Sequence, residues 1–252
     1  MNQANHPDLC WRVEQACLEA WPAAQTIDVN GWLARLSGGP TRRTNSVNPQ
    51  RHGPRDPTPS LPALAELYSA AGQPLIFRVP TIAEAMDAAL DRLGFGPPEA
   101  ETMTLLAGLT DTAAAAELND RPDTDWLEAR ARLSGEDAEA SAVFRAMIAN
   151  LAAPARFAAT RSGDGITSIA YGAIRQGLLV IETVATDPAA RRRGLARRTV
   201  GALMHWGMQS GADGACLQVV ADNDAAVKLY RSLGFDRELY RYHYRRPGRG
   251  PA

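Results

Sequence analysis

Ala190-Arg191-Arg192-Arg193-Gly194-Leu195-Ala196-Arg197-Arg198 is the stretch on which the reading of this chain turns. It follows the apolar run Leu178-Leu179-Val180-Ile181 and the tripeptide Thr186-Asp187-Pro188, and it opens a segment with apolar residues at helical spacing. A glycine at a strand-to-helix junction lets backbone N–H groups converge on a ligand with no side chain in the way. The first helical turn has unpaired donors and a partial positive charge, and five arginines at positions 191, 192, 193, 197 and 198 surround it. Taken alone, the pattern fits either a pyrophosphate cradle or a solvated helix face.

Further along the chain reads Leu217-Gln218-Val219-Val220-Ala221-Asp222-Asn223-Asp224-Ala225-Ala226-Val227-Lys228-Leu229-Tyr230-Arg231-Ser232-Leu233-Gly234-Phe235. Arg191-x-x-Gly194-x-Ala196 followed by Asn223-x-x-Ala226-x-x-x-Tyr230-x-x-x-Gly234-Phe235 resembles the paired signature motifs of the GNAT superfamily of N-acetyltransferases. The resemblance covers residues 124–246 and implies a mixed α/β fold, a mostly antiparallel sheet flanked by helices. It also implies acetyl-CoA as co-substrate and an amine as acceptor, a small molecule or a peptide N-terminus. Carried over residue by residue, it assigns the acetyl and pantetheine groups to the backbone of Val184, Ala185 and Thr186. The pyrophosphate falls to the amides of Arg192, Arg193, Gly194, Leu195, Ala196 and Arg197. The side chains of Arg191, Arg192 and Arg193 either assist there or form a solvated turn. In the second motif, Asn223 either caps a helix or meets the pantetheine arm beside Ala226.

The same resemblance makes Tyr230 the general acid that protonates the departing thiolate. Spacing alone offers another role, because Ala226, Leu229, Tyr230 and Leu233 form an i, i+3, i+4, i+7 stripe of the kind that packs a core. The proton acceptor for the amine is less plain. In ribosomal-protein-alanine acetyltransferases, which this half also resembles, a glutamate serves on the strand before the tyrosine helix; here that position holds Gln218, which cannot take a proton. Glu182 is the remaining nearby carboxylate, either buried and suited to accept a proton or a strand carboxylate facing solvent. His243 is a third candidate on a strand of alternating Tyr and Arg.

Composition narrows the partners. The 252 residues suffice for one large or two small domains, and 45% hydrophobic with 22% charged residues is ordinary for a soluble globular protein. A net charge of −1 gives no global field to recruit nucleic acid or an anionic membrane, and no metal site is expected. Cys10, Cys17 and Cys216 form no Cys-x-x-Cys pair, which argues for a reducing, cytoplasmic setting. The near-absence of lysine, Lys228 alone among 27 basic residues, fits a GC-rich bacterial genome. From Asp111 to Ala140, nine acidic residues stand against three arginines; they form either ordinary soluble helix faces or a rim that steers a cationic amine.

The chain also echoes itself. Pro74-Leu75-Ile76-Phe77-Arg78-Val79, a helix after Thr81 and the ending Leu93-Gly94-Phe95 repeat the strand, helix and Leu233-Gly234-Phe235 of the C-terminal half. In that alignment Leu90 stands where Tyr230 is and Ala83 where Asn223 is, while prolines 54, 57 and 59 interrupt the segment matching the cradle. The expected organisation is tandem: a degenerate GNAT-like domain over residues 1–110, a linker over 111–123, a catalytic GNAT domain over 124–246 and a flexible tail over 247–252. Such a chain would be an acetyl-CoA-dependent N-acetyltransferase, monomeric or a homodimer. The rival is a non-catalytic acyl-CoA-binding or regulatory protein of the same fold.

Overall fold

A computed structural model describes residues 7–109, 115–163 and 165–248. The chain opens with α1 (Pro7–Ala20), β1 (Gln25–Val29), β2 (Trp32–Leu36) and β3 (Ser46–Pro49), and continues through α2 (Leu61–Ala70), β4 (Phe77–Pro80), α3 (Met86–Arg92) and β5 (Glu99–Ala107). Then come β6 (Glu117–Asn119), α4 (Thr124–Ser134), α5 (Ala138–Ala149), β7 (Ala155–Ser162), β8 (Gly165–Arg175) and β9 (Leu178–Thr186). The remainder is α6 (Leu195–Gln209), β10 (Ala215–Val220), α7 (Asp224–Ser232) and β11 (Arg237–Arg245).

All of these strands join one 11-stranded sheet in the order β1-β2-β3-β4-β11-β5-β10-β9-β8-β7-β6. Neighbours run antiparallel except at β3–β4 and β9–β10, where a crossover helix, α2 or α6, makes the step parallel. Read inward from each edge, the order is similar: an antiparallel run (three strands, β1-β2-β3, on one side and four, β6-β7-β8-β9, on the other), a parallel step, then an inner strand delivered from the other part of the chain. β5 follows β4 in sequence yet lies between β10 and β11; β11 follows β10 yet lies between β4 and β5. That central position explains why Tyr240, Tyr242, Tyr244, His243 and Arg245 are all buried although polar and aromatic residues alternate along β11.

Helices cover both faces. α6 and α7 pack over Leu179, Ile181, Leu217 and Val219. α6 lies close because Gly207 has no side chain; a Cβ there would fall 2.9 Å from Leu179 Cδ2. On the opposite face α1, α4 and α5 bury Val13, Cys17, Trp126 and Phe144 against Tyr171, Val180 and Cys216. Several boundaries differ from the sequence reading. The stretch expected to be a linker contains β6, paired with β7, and its residues 110–114 lie outside the described residues. β2 and β3 are joined through Gly38-Gly39-Pro40 and a 3-10 turn over Arg42–Thr44, and β1 pairs with β2 through Asn30-Gly31. Within the expected tail, Pro247 bridges Phe95 and Gly248 donates to the Gly94 carbonyl, so these two are anchored; residues 249–252 lie outside the described residues.

Candidate active site

The site begins where two parallel strands part. β9 and β10 pair only from Leu179↔Ala215 to Ile181↔Leu217, so β9 has no neighbour on that side beyond Ile181. On its other side, Ile169 pairs with Ala185 and Tyr171 with Glu182, so Thr183 and Val184 together oppose Ala170. This is a β-bulge, and Thr183 carries the left-handed backbone that goes with it, φ 56°. A bulge takes backbone groups out of the ladder and leaves them free for a ligand. Val184, Ala185 and Thr186 accordingly line a cleft of about 910 Å³.

The opposing walls come from two helix starts. Asp187 accepts from the Ala189 amide to start a 3-10 turn (Pro188–Ala190), after which Arg192 (φ 61°) and Gly194 (φ 73°) turn the chain into α6. Gly194 is the N-cap, in a region that costs any β-carbon-bearing residue strain, and no atom lies within 4 Å of where a Cβ would sit. The space it leaves is the cleft. α6 therefore presents its unpaired first-turn amides to the same opening that Val184 to Thr186 line. Arg191, Arg192, Leu195, Ala196 and Arg197 also line it; Arg193 does not. The Arg197 guanidinium is already engaged, donating to the Ser232 carbonyl at 2.8 Å and 3.0 Å, and so ties α6 to the end of α7.

α7 completes the cleft. Asn223 caps it, its Oδ1 accepting from the Ala226 amide at 3.2 Å, the first of the two roles open to this residue. Ala226 and Tyr230 face the cleft, and Tyr230 is 7% exposed with its ring edge-on to Phe235. Burial, and secondarily the negative charge of Glu182, push the Tyr230 phenol well above its ordinary value, so it keeps its proton at neutral pH. Tyr230 thus packs in the core stripe and at the same time lines the cleft.

Glu182 is neither a solvent-facing carboxylate nor a free base. It is 6% exposed, and both carboxylate oxygens accept from Arg43, at 2.6 Å and 2.8 Å. Burial opposes the Arg43 charge, but the pull of Glu182 outweighs it and holds the guanidinium well above its ordinary value. The carboxylate is thus already committed to a bidentate, charge-assisted pair that favours its ionised form and competes with uptake of a proton from an amine. Gln218 follows Leu217, the last β10 residue paired with β9, and lies opposite Thr104 of β5. The Gln218 side-chain nitrogen, Thr104 Oγ1 and Thr183 Oγ1 are buried without hydrogen-bond partners. His243 is structural: its Nε2 and Arg245 both meet Asp87 of α3, at 2.9 Å and 2.7 Å.

Most of the acidic residues between 111 and 140 are engaged in surface ion pairs or helix caps. Glu117 and Asp125 pair with Arg161, Asp120 with Arg156 and Glu136 with Arg130, while Asp123 and Asp137 cap α4 and α5. Asp111 lies outside the described residues. Among the described residues no cluster could hold a metal ion, and no helix is long and apolar enough to cross a membrane. Arg43 was missed by sequence reasoning. It lies in a 3-10 turn outside any motif, 139 positions from its partner.

Sheet, bulge and glycine turn define a GNAT-type acyltransferase, and comparison with known proteins agrees. The family described as "Probable histone acetyltransferase Rv0428c C-terminal" matches residues 11–245, and the chain belongs to it. An uncharacterized N-acetyltransferase, YobR of Bacillus subtilis, is 23% identical over 244 residues, covering 93% of this chain and 97% of its own. A shorter match, 42% identical over 69 residues, is to the N-alpha-acetyltransferase RimI of Mycobacterium tuberculosis, covering 27% of this chain and 42% of that one. Among solved structures, a GCN5-related N-acetyltransferase from Kribbella flavida shares the fold with a TM-score of 0.71 at 17% identity, covering 96% of each chain. A GNAT-family acetyltransferase from Novosphingobium aromaticivorans gives 0.57 at 17% identity, covering 98% of this chain and all of the other.

Proposed function

We propose that this acetyltransferase moves an acetyl group from acetyl-CoA to a primary amine by direct transfer, in the cleft between β9, α6 and α7. The observation that carries the reading is the convergence on one opening of the bulged strand, the Gly194 helix start and the buried Tyr230 hydroxyl-bearing ring. The residues present suit the co-substrate: a strand edge that can pair with an amide-bearing arm, and a helix start with cationic flanks for a pyrophosphate. Bound acetyl-CoA supplies an activated acyl group as a thioester. Val184 to Thr186 orient it, the amides from Arg192 to Arg197 hold its phosphates, and Tyr230 keeps a proton on its phenolic oxygen to give to the leaving sulfur.

Gln218 and the engaged Glu182 leave the described cleft without a free carboxylate base, so the amine arrives already neutral. As the N–C bond forms and the C–S bond breaks, its nitrogen sheds one proton to solvent while Tyr230 protonates the sulfur and is reprotonated from solvent. kcat/KM should then rise with pH up to the acceptor amine's own pKa and level off there. Residues 1–110 we read as a second, degenerate copy of the fold without a cradle. There the Arg55 guanidinium donates at 2.9 Å to the carbonyls of Gln50, Gly53 and Arg51, and a Cβ on Gly53 would lie 2.5 Å from the Gly31 oxygen. Calorimetric titration with acetyl-CoA, followed by mass spectrometry of a panel of amines, tests the whole reading. One site per chain and acetylated product are expected; two equivalent sites, or no binding, would overturn it.

A further inference from the structure

Glu182 is the last residue of β9 before the bulge and one of the most buried charges in the molecule, yet the cleft does not use its carboxylate. Its partner comes from far upstream. Arg43, in the 3-10 turn between β2 and β3, reaches across the face covered by α1 and grips both oxygens, and its guanidinium lies over the Trp21 ring at 4.8 Å. The ion pair sits at the point where β9 has lost β10 as a neighbour and is about to lose its regular pairing with β8. The ion pair therefore adjoins the backbone groups of Thr183 and Val184 that next leave the regular ladder.

We propose that Arg43 is a positioning residue of the acetyl-transfer site: by holding Glu182 it sets the course of the bulge, and so places the strand edge that receives acetyl-CoA. The inference rests on the functional reading above. Its physical core is that a buried carboxylate without a partner must either take up a proton or move toward water. Either response acts first on the adjoining Thr183 and Val184. The charged and titratable groups that face the pair are Glu14 and Cys17 from α1, Arg35 from β2, Tyr171 from β8, Tyr230 from α7, and Tyr242 and Tyr244 from β11. Glu14 is itself engaged, by Arg78 and by the Tyr240 hydroxyl at 2.6 Å, and the ordinary values of the thiol, phenol and guanidinium groups lie above neutrality.

Removing the guanidinium should therefore leave the Glu182 carboxylate buried without its counter-charge, a state disfavoured while the carboxylate is charged and relieved as pH falls. In Arg43→Met, acetyl-CoA affinity measured by calorimetry and expressed relative to wild type at each pH should be about tenfold weaker at pH 8 and should recover toward pH 6. Adding Glu182→Gln removes the stranded charge, so Arg43→Met/Glu182→Gln should bind within about threefold of wild type with no added pH dependence. Arg43→Lys keeps the charge but loses the fork; it should melt near wild type and bind severalfold more weakly. Wild-type affinity at every pH in folded Arg43→Met and Arg43→Lys would overturn the proposal, as would a double variant that binds no better than Arg43→Met. A wild-type chain that does not bind acetyl-CoA would overturn the functional reading itself, and this inference with it.

Discussion

Tyr230 packs edge-on against Phe235 while lining the cleft, so its two roles can be separated by removing one atom. Tyr230→Phe retains the ring and its burial; acetyl-CoA affinity and melting temperature should stay near wild type while turnover falls by roughly 10²-fold or more. Steady-state kinetics beside calorimetry checks this, and an unchanged turnover with chemistry rate-limiting would leave the tyrosine a core residue only. Gly194 makes the complementary case. Its φ of 73° is in the left-handed region, and the space a side chain would enter is the cleft itself. Gly194→Val should therefore act twice, straining the helix start by about 1–2 kcal/mol and covering the amides of α6. Acetyl-CoA affinity should drop more than stability does, with Gly194→Ala intermediate in both. Equal losses across the two readouts would mean that the glycine serves only the turn.

Among the elements, α1 contributes most to the face opposite the cleft, and it does so through charge as well as apolar packing. Glu14 and Arg78 of β4 form an ion pair with both side chains almost fully buried, and the Arg78 guanidinium stacks at 3.6 Å over the Tyr242 ring. Arg78→Met alone should cost about 3–5 kcal/mol in urea denaturation, because it strands Glu14, whereas adding Glu14→Met should recover most of that loss. This pair was not legible beforehand, since Glu14 reads as one polar position of an amphipathic helix and Arg78 as an interruption in an apolar strand. What the sequence did disclose follows from local physics. The meander β7-β8-β9, α6 and α7 were visible because period, turn residues and the Asn223 cap act within a few positions. The strand β1 was missed although Asn30-Gly31, both at positive φ, is the dipeptide that hairpin turns favour. β6 was missed for another reason: three residues at a sheet edge bury too little to leave a pattern. At the cleft, the lining residues from the two motifs could be read because each wall is built from neighbours in sequence. Arg43 could not, because its role exists only once β3 and β9 have been brought to the same sheet.

Across the whole molecule, the aromatic groups in the sheet and its helices predict an alkaline limit. Tyr68, Tyr171, Tyr230, Tyr240 and Tyr244 are all raised above the ordinary phenol value, burial being the largest cause in each. The unfolded chain releases these protons near pH 10 while the folded chain retains them. Their contribution to stability is thus complete below about pH 10 and is lost as pH rises beyond it. Phenolate absorbance and circular dichroism followed together should change in one steep, coincident step; phenolate appearing gradually near pH 10 with the dichroism unchanged would contradict the burial. The exchanged strands have a consequence of a different kind. Both neighbours of β11, β4 and β5, come from upstream of residue 110, and both neighbours of β5, β10 and β11, come from downstream of residue 116. Deleting the upstream segment would strip β11 of every partner and bare the edge of β10, turning a closed centre into an adhesive one. On that count the upstream segment is held in place by topology, whatever ligand chemistry it performs: the sheet has no centre without it.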